Sequence, residues 1–376
     1  MSQLRVLVVD DTIVYRKIVS DILSTIPGIQ VVGSANNGKI ALSRIASLKP
    51  DLITLDVEMP EMNGLEVLEE LNRISPDVGV VMLSTLTTRG GDITIRALEL
   101  GAFDFVPKPQ SGTMTENLEA VRSILVPIIQ TFQRRKDIRQ RLRGVTPPPV
   151  GNSLRTGQTA SVTARSPSPA DITQRMQKLS MRKSRSEIVA IGISTGGPNA
   201  LARMMPMLPG DMGVPILIVQ HMPPVFTASL AKSLNAKCTI EVKEAEQGEI
   251  LRNNTAYIAP GGRQMRVVAA GDGKNRMIKI TDDPPENSCR PSADYLFRSV
   301  ASHYVGRATG VIMTGMGYDG AAGIKEMKNS GAHIIAQDEA SCTVFGMPKE
   351  PIESGTADIV VPLNDIASAI LKTVRP

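Results

Sequence analysis

A serine in a glycine-rich turn is the first residue whose setting suggests chemistry. The run Ile188–Pro198 is a short apolar, β-branched stretch that breaks at Gly192, Ser194 and Gly196, as a buried parallel strand does when it turns sharply into a helix. The spacing Gly-x-Ser-x-Gly matches the nucleophile elbow, a strained turn that exposes the serine Oγ. Ser194 is therefore a candidate nucleophile, and the amides of the turn could hold a developing oxyanion.

Two other interpretations of this turn stay open at this point. The glycines nearly match a dinucleotide-binding fingerprint, but Ser194 stands where a second glycine must let pyrophosphate approach the backbone. His221 also follows the next strand, where a ribose-binding acid would be expected. The turn could equally be a structural one with an incidental serine. A base and a carboxylate near Ser194 would favour the nucleophile.

A serine nucleophile needs a base to take its proton and a carboxylate to orient that base. Of the three histidines, His303 lies in a helical pattern and His333 begins a late strand at the opposite edge. His221 ends the strand after Ser194 and shares its edge, and Asp319 lies in a glycine-rich turn after a later strand. We therefore expect a catalytic triad of Ser194, His221 and Asp319. This chain order differs from the Ser, Asp, His order of α/β-hydrolases.

Acidic residues also follow the strands of the N-terminal region. Asp10 and Asp11 come after the first strand candidate, Asp56 after the third, and Lys108 just past the fifth. The carboxyl ends of parallel strands meet at one edge of a sheet. Converging carboxylates suit Mg²⁺, and a metal, a carboxylate and an ammonium together could accept a phosphoryl group. Solvated loop acids are the alternative.

The elements that must position these residues alternate regularly between strand and helix. Five strand candidates before residue 107 predict a five-stranded, doubly wound parallel sheet. The alternation resumes from Glu187 with nine strand candidates, and closely spaced short strands between about 255 and 282 suggest an antiparallel hairpin inserted in the second sheet. The predicted fold class is α/β, with two doubly wound parallel-sheet domains.

A basic linker is predicted between these domains. Residues 134–186 contain 13 Lys and Arg against 2 Asp and Glu, and residues 144–169 are rich in Pro, Ser, Thr and Gly. Such a segment buries too little apolar surface to offset its ordering entropy, so we expect a flexible tether. Contact with nucleic acid, with a membrane or with the acidic first domain is an alternative, although no aromatic residues are interleaved for base stacking.

Composition indicates a cytoplasmic protein. The 376 residues have no stretch as long as the roughly 20 apolar residues that span a bilayer, and no signal-peptide pattern. Three cysteines, Cys238, Cys289 and Cys342, fit neither a disulfide framework nor a paired zinc motif.

Residues 1 to about 125 resemble a response-regulator receiver domain, which has a flavodoxin-like fold. The resemblance is carried by Val-Val-Asp10-Asp11, Leu-Asp56-Val-Glu-Met-Pro60 with Asn63-Gly64, and Val-Pro-Lys108-Pro109. It implies that Asp56 accepts the phosphoryl group from a sensor histidine kinase. It also implies the following roles: Mg²⁺ held by Asp10, Asp11, Asp56 and the Glu58 carbonyl; phosphoryl contact by Lys108; a switch hydroxyl at Ser84; and a switch aromatic at Phe105, where the family commonly has tyrosine.

The C-terminal region is similar to the catalytic domain of the chemotaxis protein-glutamate methylesterase family. The motifs are Ser194-Thr-Gly-Gly, Gln220-His221-Met-Pro, Ala259-Pro-Gly-Gly, Arg290-Pro-Ser-Ala-Asp and Met313-Thr-Gly-Met-Gly-Tyr-Asp319-Gly. The resemblance implies a Rossmann-like domain that uses Ser194, His221 and Asp319, with Thr195, Gly196 and Met316 as oxyanion or substrate contacts. The family often has histidines near Gln264 and Cys289, and Asn or Asp at Tyr318.

The combined resemblance predicts a receiver at 1–125, a linker at 126–186 and a catalytic domain at 187–376. It implies phosphorylation-activated hydrolysis of glutamate γ-methyl esters on chemoreceptors and deamidation of specific receptor glutamines, with no cofactor for the ester reaction. The protein would act at the cytoplasmic side of membrane receptors without spanning the membrane. The alternative is a response regulator with a non-catalytic binding output domain and a nucleic-acid-binding linker.

Overall fold

Two parallel sheets dominate the computed structural model, which describes residues 3–109, 111–143 and 184–375. The N-terminal sheet has the strand order β2-β1-β3-β4-β5. Its elements are β1 (Leu4–Val9), α1 (Ile13–Ser24), β2 (Ile29–Ala35), α2 (Gly38–Leu48), β3 (Leu52–Asp56), α3 (Gly64–Ile74), β4 (Gly79–Thr85), α4 (Thr88–Glu99), β5 (Asp104–Lys108) and α5 (Met114–Arg143).

The N-terminal sheet is covered on both faces because its strands are apolar on both faces. Along β1, Val6 and Val8 pack with α1 and α5, whereas Leu7 and Val9 pack with α2 and α3. This two-sided burial is what near-continuous apolar strands predict. The order 2-1-3-4-5 is that of a flavodoxin-like sheet, as the resemblance implied.

The C-terminal domain contains a seven-stranded sheet of order β14-β13-β12-β6-β7-β9-β8, in which every neighbouring pair is parallel. The strands of the C-terminal domain are β6 (Ile188–Ile193), β7 (Ile216–Gln220), β8 (Glu241–Glu244), β9 (Thr255–Ile258), β10 (Gln264–Ala269), β11 (Arg276–Thr281), β12 (Ala308–Ile312), β13 (His333–Gln337) and β14 (Ile359–Val361). The helices are α6 (Gly197–Met204), which runs into a 3₁₀ turn at Met205–Met207, α7 (Phe226–Asn235), α8 (Ala293–His303), α9 (Ala321–Asn329), α10 (Lys349–Glu353) and α11 (Leu363–Val374).

The antiparallel hairpin forms a sheet of its own. β10 and β11 pair with each other and with no other strand of the part of the chain that the structure describes. Their inward residues, Met265, Val267 and Ile278, bury against α8, so a helix face rather than a sheet edge receives them. The hairpin is confirmed. The expectation that it is inserted in the parallel sheet is wrong, because the strand that pairs with β7 and β8 in that sheet is β9.

The two domains share a continuous apolar core. One cluster of buried side chains contains Ile95 and Leu98 of α4, Phe105 of β5, and Phe226 and Leu230 of α7. The rings of Phe105 and Phe226 lie 4.4 Å apart between centroids. The predicted α/β class with two doubly wound domains is confirmed, and the domains are in direct contact.

Helix α5 is longer than the sequence indicated. It continues to Arg143 and passes through the start of the predicted linker at residue 126. Its Lys136 pairs with Asp51 at 2.6 Å, and Phe132 packs edge-on against Phe103, so these contacts hold the helix against the first domain. The rest of the predicted tether, residues 144–183, lies outside the described residues. Within the residues described, no helix is both long and apolar enough to cross a membrane.

Candidate functional site

Ser194 and His221 follow neighbouring, paired strands of the C-terminal sheet. Ile193 at the end of β6 is in register with Gln220 at the end of β7, and the His221 amide donates to the Ile193 carbonyl at 3.2 Å. Ser194 and His221 are therefore each the first residue beyond the same edge of the sheet. This is the position at which doubly wound sheets carry their sites.

Glycines make room for the turn that carries Ser194. A Cβ on Gly197 would lie 1.9 Å from the Gln220 side-chain oxygen, and one on Gly315 would lie 2.8 Å from the Ser194 Cβ. The Gln220 amide in turn donates to the Ser194 carbonyl at 3.0 Å. The turn therefore depends on close backbone packing, which is what the Gly-rich spacing predicts.

His221 is oriented by a buried carboxylate. Its Nε2 lies 2.8 Å from Asp319 Oδ2, and Asp319 is 2% exposed. With Nε2 engaged in this way, Nδ1 is the ring nitrogen left to act on a substrate or on a nucleophile. The arrangement has the geometry of the His–carboxylate half of a hydrolase triad.

The start of α8 holds Asp319 in its ionised form. The carboxylate accepts hydrogen bonds from the Ser292 hydroxyl at 2.7 Å, the Ala293 amide at 2.6 Å and the Asn287 side chain at 3.0 Å. Burial alone would raise the pKa of Asp319, but the bonds from His221, Asn287 and Ser292 outweigh it and lower the pKa to about 2. A helix N-terminus is the natural partner for such a carboxylate.

The same contacts favour the protonated imidazole. Burial tends to lower the pKa of His221, but the hydrogen bonds that its ring makes with Asp319 and Cys289 prevail and raise the pKa to about 9. Cys289 Sγ lies 3.7 Å from His221 Nδ1. The His221 imidazole is therefore mainly protonated at neutral pH.

Ser194 lines a cavity of about 580 Å³ together with His221 and Cys289. Among the described residues, however, the structure gives Ser194 Oγ no hydrogen bond to the His221 ring. The structure thus brings His221 and Asp319 into contact and places Ser194, the predicted nucleophile, on the wall of the same cavity. The hydrogen bond between Ser194 and His221 that would complete the triad is not formed between these described residues. Hydrogen bonds of this kind often tighten only when substrate is bound.

A second charged cluster lies at the carboxyl edge of the N-terminal sheet. Lys108 Nζ lies 2.7 Å from both Asp10 Oδ2 and Asp56 Oδ2, and all three residues are buried. Carboxylate oxygens of Asp10, Asp11 and Asp56 lie within 4.8 Å of one another. Burial raises the pKa of Asp56 to about 7, although Lys108 opposes the shift. Hard oxygen donors at this spacing fit a divalent cation such as Mg²⁺.

Comparison with known proteins identifies the family. A family model described as CheB methylesterase matches residues 189–370, and one described as response regulator receiver domain matches residues 6–119. A curated relative from Desulfotalea psychrophila, named protein-glutamate methylesterase/protein-glutamine glutaminase, is 57% identical over all of both chains. This chain belongs to that family. A relative of the same name from Trichodesmium erythraeum is 40% identical, again over all of both chains.

Two solved structures of single domains are also similar to this member of the methylesterase family. The CheB methylesterase catalytic domain of Thermotoga maritima is 41% identical, covers 50% of this chain and 98% of its own, and has a TM-score of 0.48. The response regulator domain of Thermotoga maritima CheB is 40% identical, covers 35% of this chain and 97% of its own, and has a TM-score of 0.31. From here we call β1–α5 the receiver domain and β6–α11 the catalytic domain.

The predicted oxyanion and substrate contacts face the receiver domain in this methylesterase-family chain. Thr195 Oγ1 donates to Asp104 Oδ2 of β5 at 2.8 Å, and Thr131 Oγ1 of α5 lies 3.3 Å from the Met316 sulfur. Gly196 has the left-handed φ of 78° and lines the same cavity. Two of the three residues are thus held by the other domain.

One predicted switch residue, Ser84, lies beside α4, and the other, Phe105, lies at the contact between the two domains. Ser84 is buried, and its Oγ lies 2.6 Å from Thr94 Oγ1 of α4. Phe105 is buried against Phe226 of the catalytic domain. The Glu58 amide lies 3.4 Å from Asp56 Oδ1, which puts the Glu58 backbone beside the acid cluster.

Three residues that contact the site had no role predicted from the sequence: Asp104, Asn287 and Ser292, the last of which lies in the Arg290-Pro-Ser-Ala-Asp motif. Asp104 precedes the switch aromatic, and its contact with Thr195 joins residues 91 apart in sequence, so no local pattern reveals it. Ser292 is the N-cap of α8, where it accepts a bond from the Tyr295 amide. A Ser followed by an acidic first turn is an N-cap signal, and that signal could have identified it.

Proposed function

We propose that this chain is a phosphorylation-activated serine hydrolase that removes methyl groups from glutamate γ-methyl esters of chemoreceptors and deamidates specific receptor glutamines. The observation that carries the proposal is the His221–Asp319 pair at 2.8 Å, placed beside Ser194 at the edge of the sheet. The names of the relatives supply the substrate class, and the receiver domain supplies the expectation of a kinase as phosphodonor.

Each member of the proposed triad has one task. Ser194 Oγ attacks the γ-carbonyl carbon of the substrate while His221 Nδ1 takes the hydroxyl proton. The carbon–oxygen bond to the methoxy group then breaks, and His221 returns the proton so that methanol leaves. Water repeats the sequence on the acyl-serine and frees Ser194. With a glutamine substrate the leaving group is ammonia.

The raised pKa of His221 suits the charge that forms during this reaction. The reaction starts from neutral His221, which is the minor form below the pKa of about 9. Proton transfer from Ser194 then gives an imidazolium that the buried Asp319 carboxylate stabilises until the proton passes to the methoxy leaving group. We assign the developing oxyanion to the turn at Thr195 and Gly196, with Met316 on the substrate side. The proposed ester reaction uses only side chains of the protein and water, so we expect it to need no cofactor.

Access of a protein substrate to this cavity is controlled by the receiver domain. Asp104, Phe105, Ile124 and Ile128 of that domain line the cavity that contains Ser194. An extended receptor segment needs an open approach, so the domains must separate or shift before it binds. We propose that the unphosphorylated receiver domain inhibits sterically.

Phosphorylation at Asp56 would shift β4 and β5 and so weaken the contact between the receiver domain and the catalytic domain. Mg²⁺, when bound, would neutralise charge on the phosphoryl oxygens, and Asp10, Asp11, Asp56 and the Glu58 carbonyl would hold it. Lys108, now paired with two carboxylates, would contact the phosphoryl group, and Ser84 would move toward it. Because Phe105 lies on β5 against Phe226, a shift of that strand reaches the domain interface directly.

We propose that the receiver predicted at 1–125 extends to the end of α5 at Arg143, so that the linker predicted at 126–186 begins after this helix, and that the catalytic domain spans 187–376. The protein would act at the cytoplasmic side of its receptors. Nothing in the described residues favours the alternative of a nucleic-acid-binding linker, and most of that segment lies outside them.

The test of the proposed nucleophile is Ser194→Ala, measured as methanol release from methylated receptor membranes after treatment with a small phosphodonor. We expect the rate to fall by about 10⁴-fold or more, as in triads that act as a unit. Ser302→Ala, an exposed position on α8, is the matched control and should hydrolyse at the wild-type rate. Methanol release by Ser194→Ala at a near wild-type rate would overturn the proposal.

A further inference from the structure

Cys289 and His221 have the spacing of two ligands of one metal ion. Cys289 Sγ lies 3.7 Å from His221 Nδ1. In a tetrahedral zinc site with Zn–S near 2.3 Å and Zn–N near 2.0–2.1 Å, sulfur and nitrogen ligands lie about 3.6 Å apart. The two side chains therefore need almost no movement to bind one ion between them.

The surroundings of the pair resemble the outer shell of a histidine–zinc site. A ligating histidine usually donates its other N–H to a carboxylate, which fixes the ring and raises its basicity. Here Nε2 contacts Asp319 at 2.8 Å, and Asp319 is itself held by Ser292 and Asn287. Ligand atoms of His221, Cys289 and Asp319 all lie within 4.8 Å of one another. The ring that would bind the metal is thus already oriented with Nδ1 toward the sulfur.

The cavity wall leaves room for the remaining ligands. Cys289 and His221 are both partly exposed and line the cavity of about 580 Å³, so water can complete a tetrahedral shell. The thiol now lies 3.4 Å from the Asn287 carbonyl. Zn²⁺ binding converts the Cys289 thiol to a thiolate and displaces the proton from His221 Nδ1. Both protons pass to solvent, so the site would bind more tightly as pH rises.

We propose that Cys289 and His221 form an inhibitory binding site for Zn²⁺. Thiolate and imidazole are ligands that select zinc over the Mg²⁺ expected at the oxygen-rich receiver site. Since Asp319 occupies Nε2, a metal on Nδ1 removes the only nitrogen that could take the Ser194 proton. This inhibitory consequence rests on the function proposed above, whereas the metal site rests on the geometry of the pair.

The first test is cobalt binding by the full-length protein, with Mg²⁺ in excess to occupy the acid cluster of the receiver domain. Co²⁺ on a thiolate gives a sulfur-to-metal charge-transfer band, which oxygen ligands do not give. We expect the band in the wild type and in the matched control Cys238→Ser/Cys342→Ser, displaced by an equivalent of Zn²⁺, and absent from Cys289→Ser. A wild-type protein without the band, or a Cys289→Ser protein that keeps it, would overturn the site.

The second test is zinc inhibition of methanol release, with each variant compared with its own rate in the absence of zinc. Half-inhibition of Cys289→Ser should need at least 10-fold more free Zn²⁺ than that of the wild type or of the control. Equal sensitivity in all three would overturn the inhibitory role. If the wild type released no methanol at all, the proposed function would fail, and the cobalt band would still decide the metal site.

Discussion

Thr195 Oγ1 donates a hydrogen bond to Asp104 Oδ2 at 2.8 Å, and this bond joins the predicted oxyanion turn of the catalytic domain to the strand that carries Phe105, the predicted switch aromatic. Burial raises the pKa of Asp104 to about 6, although the bonds from Thr195 and from the Phe105 amide lower it. The bond therefore connects the position of β5 in the receiver domain to the residue that follows Ser194.

Removing the hydrogen bond between Thr195 and Asp104 should weaken the contact between the receiver domain and the catalytic domain. We expect Asp104→Ala to raise methanol release by the unphosphorylated chain roughly 5- to 30-fold, because one hydrogen bond to a carboxylate is worth on the order of 1–2 kcal/mol after desolvation. After treatment with phosphodonor, the variant and the wild type should converge. An unchanged basal rate would mean that the bond does not contribute to inhibition.

The interface between α4 and α7 offers a second way to separate the domains. A Cβ on Gly91 would lie 2.9 Å from Ser229 Oγ, so Gly91→Leu should force the helices apart and raise the basal rate about 10-fold. Arg89→Leu is the matched control, since Arg89 is exposed on the same helix and should leave the rate unchanged. Equal rates in the two variants would exclude this helix pair from the inhibitory contact.

Asp319 provides a test of the triad that does not alter the nucleophile. Asp319→Asn keeps the shape of the side chain but removes the charge that stabilises protonated His221. We expect kcat to fall by about 10³- to 10⁴-fold. Asp282→Asn, an exposed carboxylate paired with Arg263, should retain wild-type activity. A loss of less than 10-fold in Asp319→Asn would argue that another group orients the base.

The His221–Asp319 pair also predicts how stability depends on pH. The pKa of His221 is raised to about 9, so its contribution is complete below about pH 6.5, the value in the unfolded chain, and is lost as pH rises through 9. The contribution of Asp319, whose pKa is lowered to about 2, is present above about pH 4 and is lost as pH falls through 2. The two shifts describe one interaction and are not added.

This dependence can be measured as the difference in free energy of unfolding between the wild type and His221→Gln. The pair should supply about 2–3 kcal/mol, so we expect the difference to be larger by that amount at pH 6 than at pH 10. Urea denaturation of both proteins at the two pH values gives the comparison. The same difference at both pH values would contradict the ion pair.

Much of the fold followed from the sequence because its signals are local. Apolar runs such as Leu4–Val9 and Ile188–Ile193 have the length and composition of buried strands, and the polar residues after them mark the carboxyl edge of each sheet. The Asp10, Asp56 and Lys108 cluster and the His221–Asp319 contact both follow from that rule. The position of Ser194 beside His221 follows from it as well.

What could not be predicted depends on contacts between distant parts of the chain. No local pattern indicates that Asp104 contacts Thr195 or that Phe105 packs on Phe226, because each contact joins the two domains. The hairpin β10–β11 was recognisable from its spacing, but its burial against α8 rather than within the sheet depends on the shape of the completed domain. Cys289 was visible as a departure from the family, whereas its distance from His221 required the fold.

The central claim is that phosphorylation of Asp56 relieves the inhibition imposed by the receiver domain on a serine esterase. Its most direct test is the initial rate of methanol release from methylated receptor membranes by the full-length protein, before and after addition of a small phosphodonor with Mg²⁺, for the wild type and Asp56→Asn. We predict a rise of at least 10-fold in the wild type and none in Asp56→Asn. A wild-type rate that phosphodonor leaves unchanged, or an equal rise in Asp56→Asn, would contradict the account.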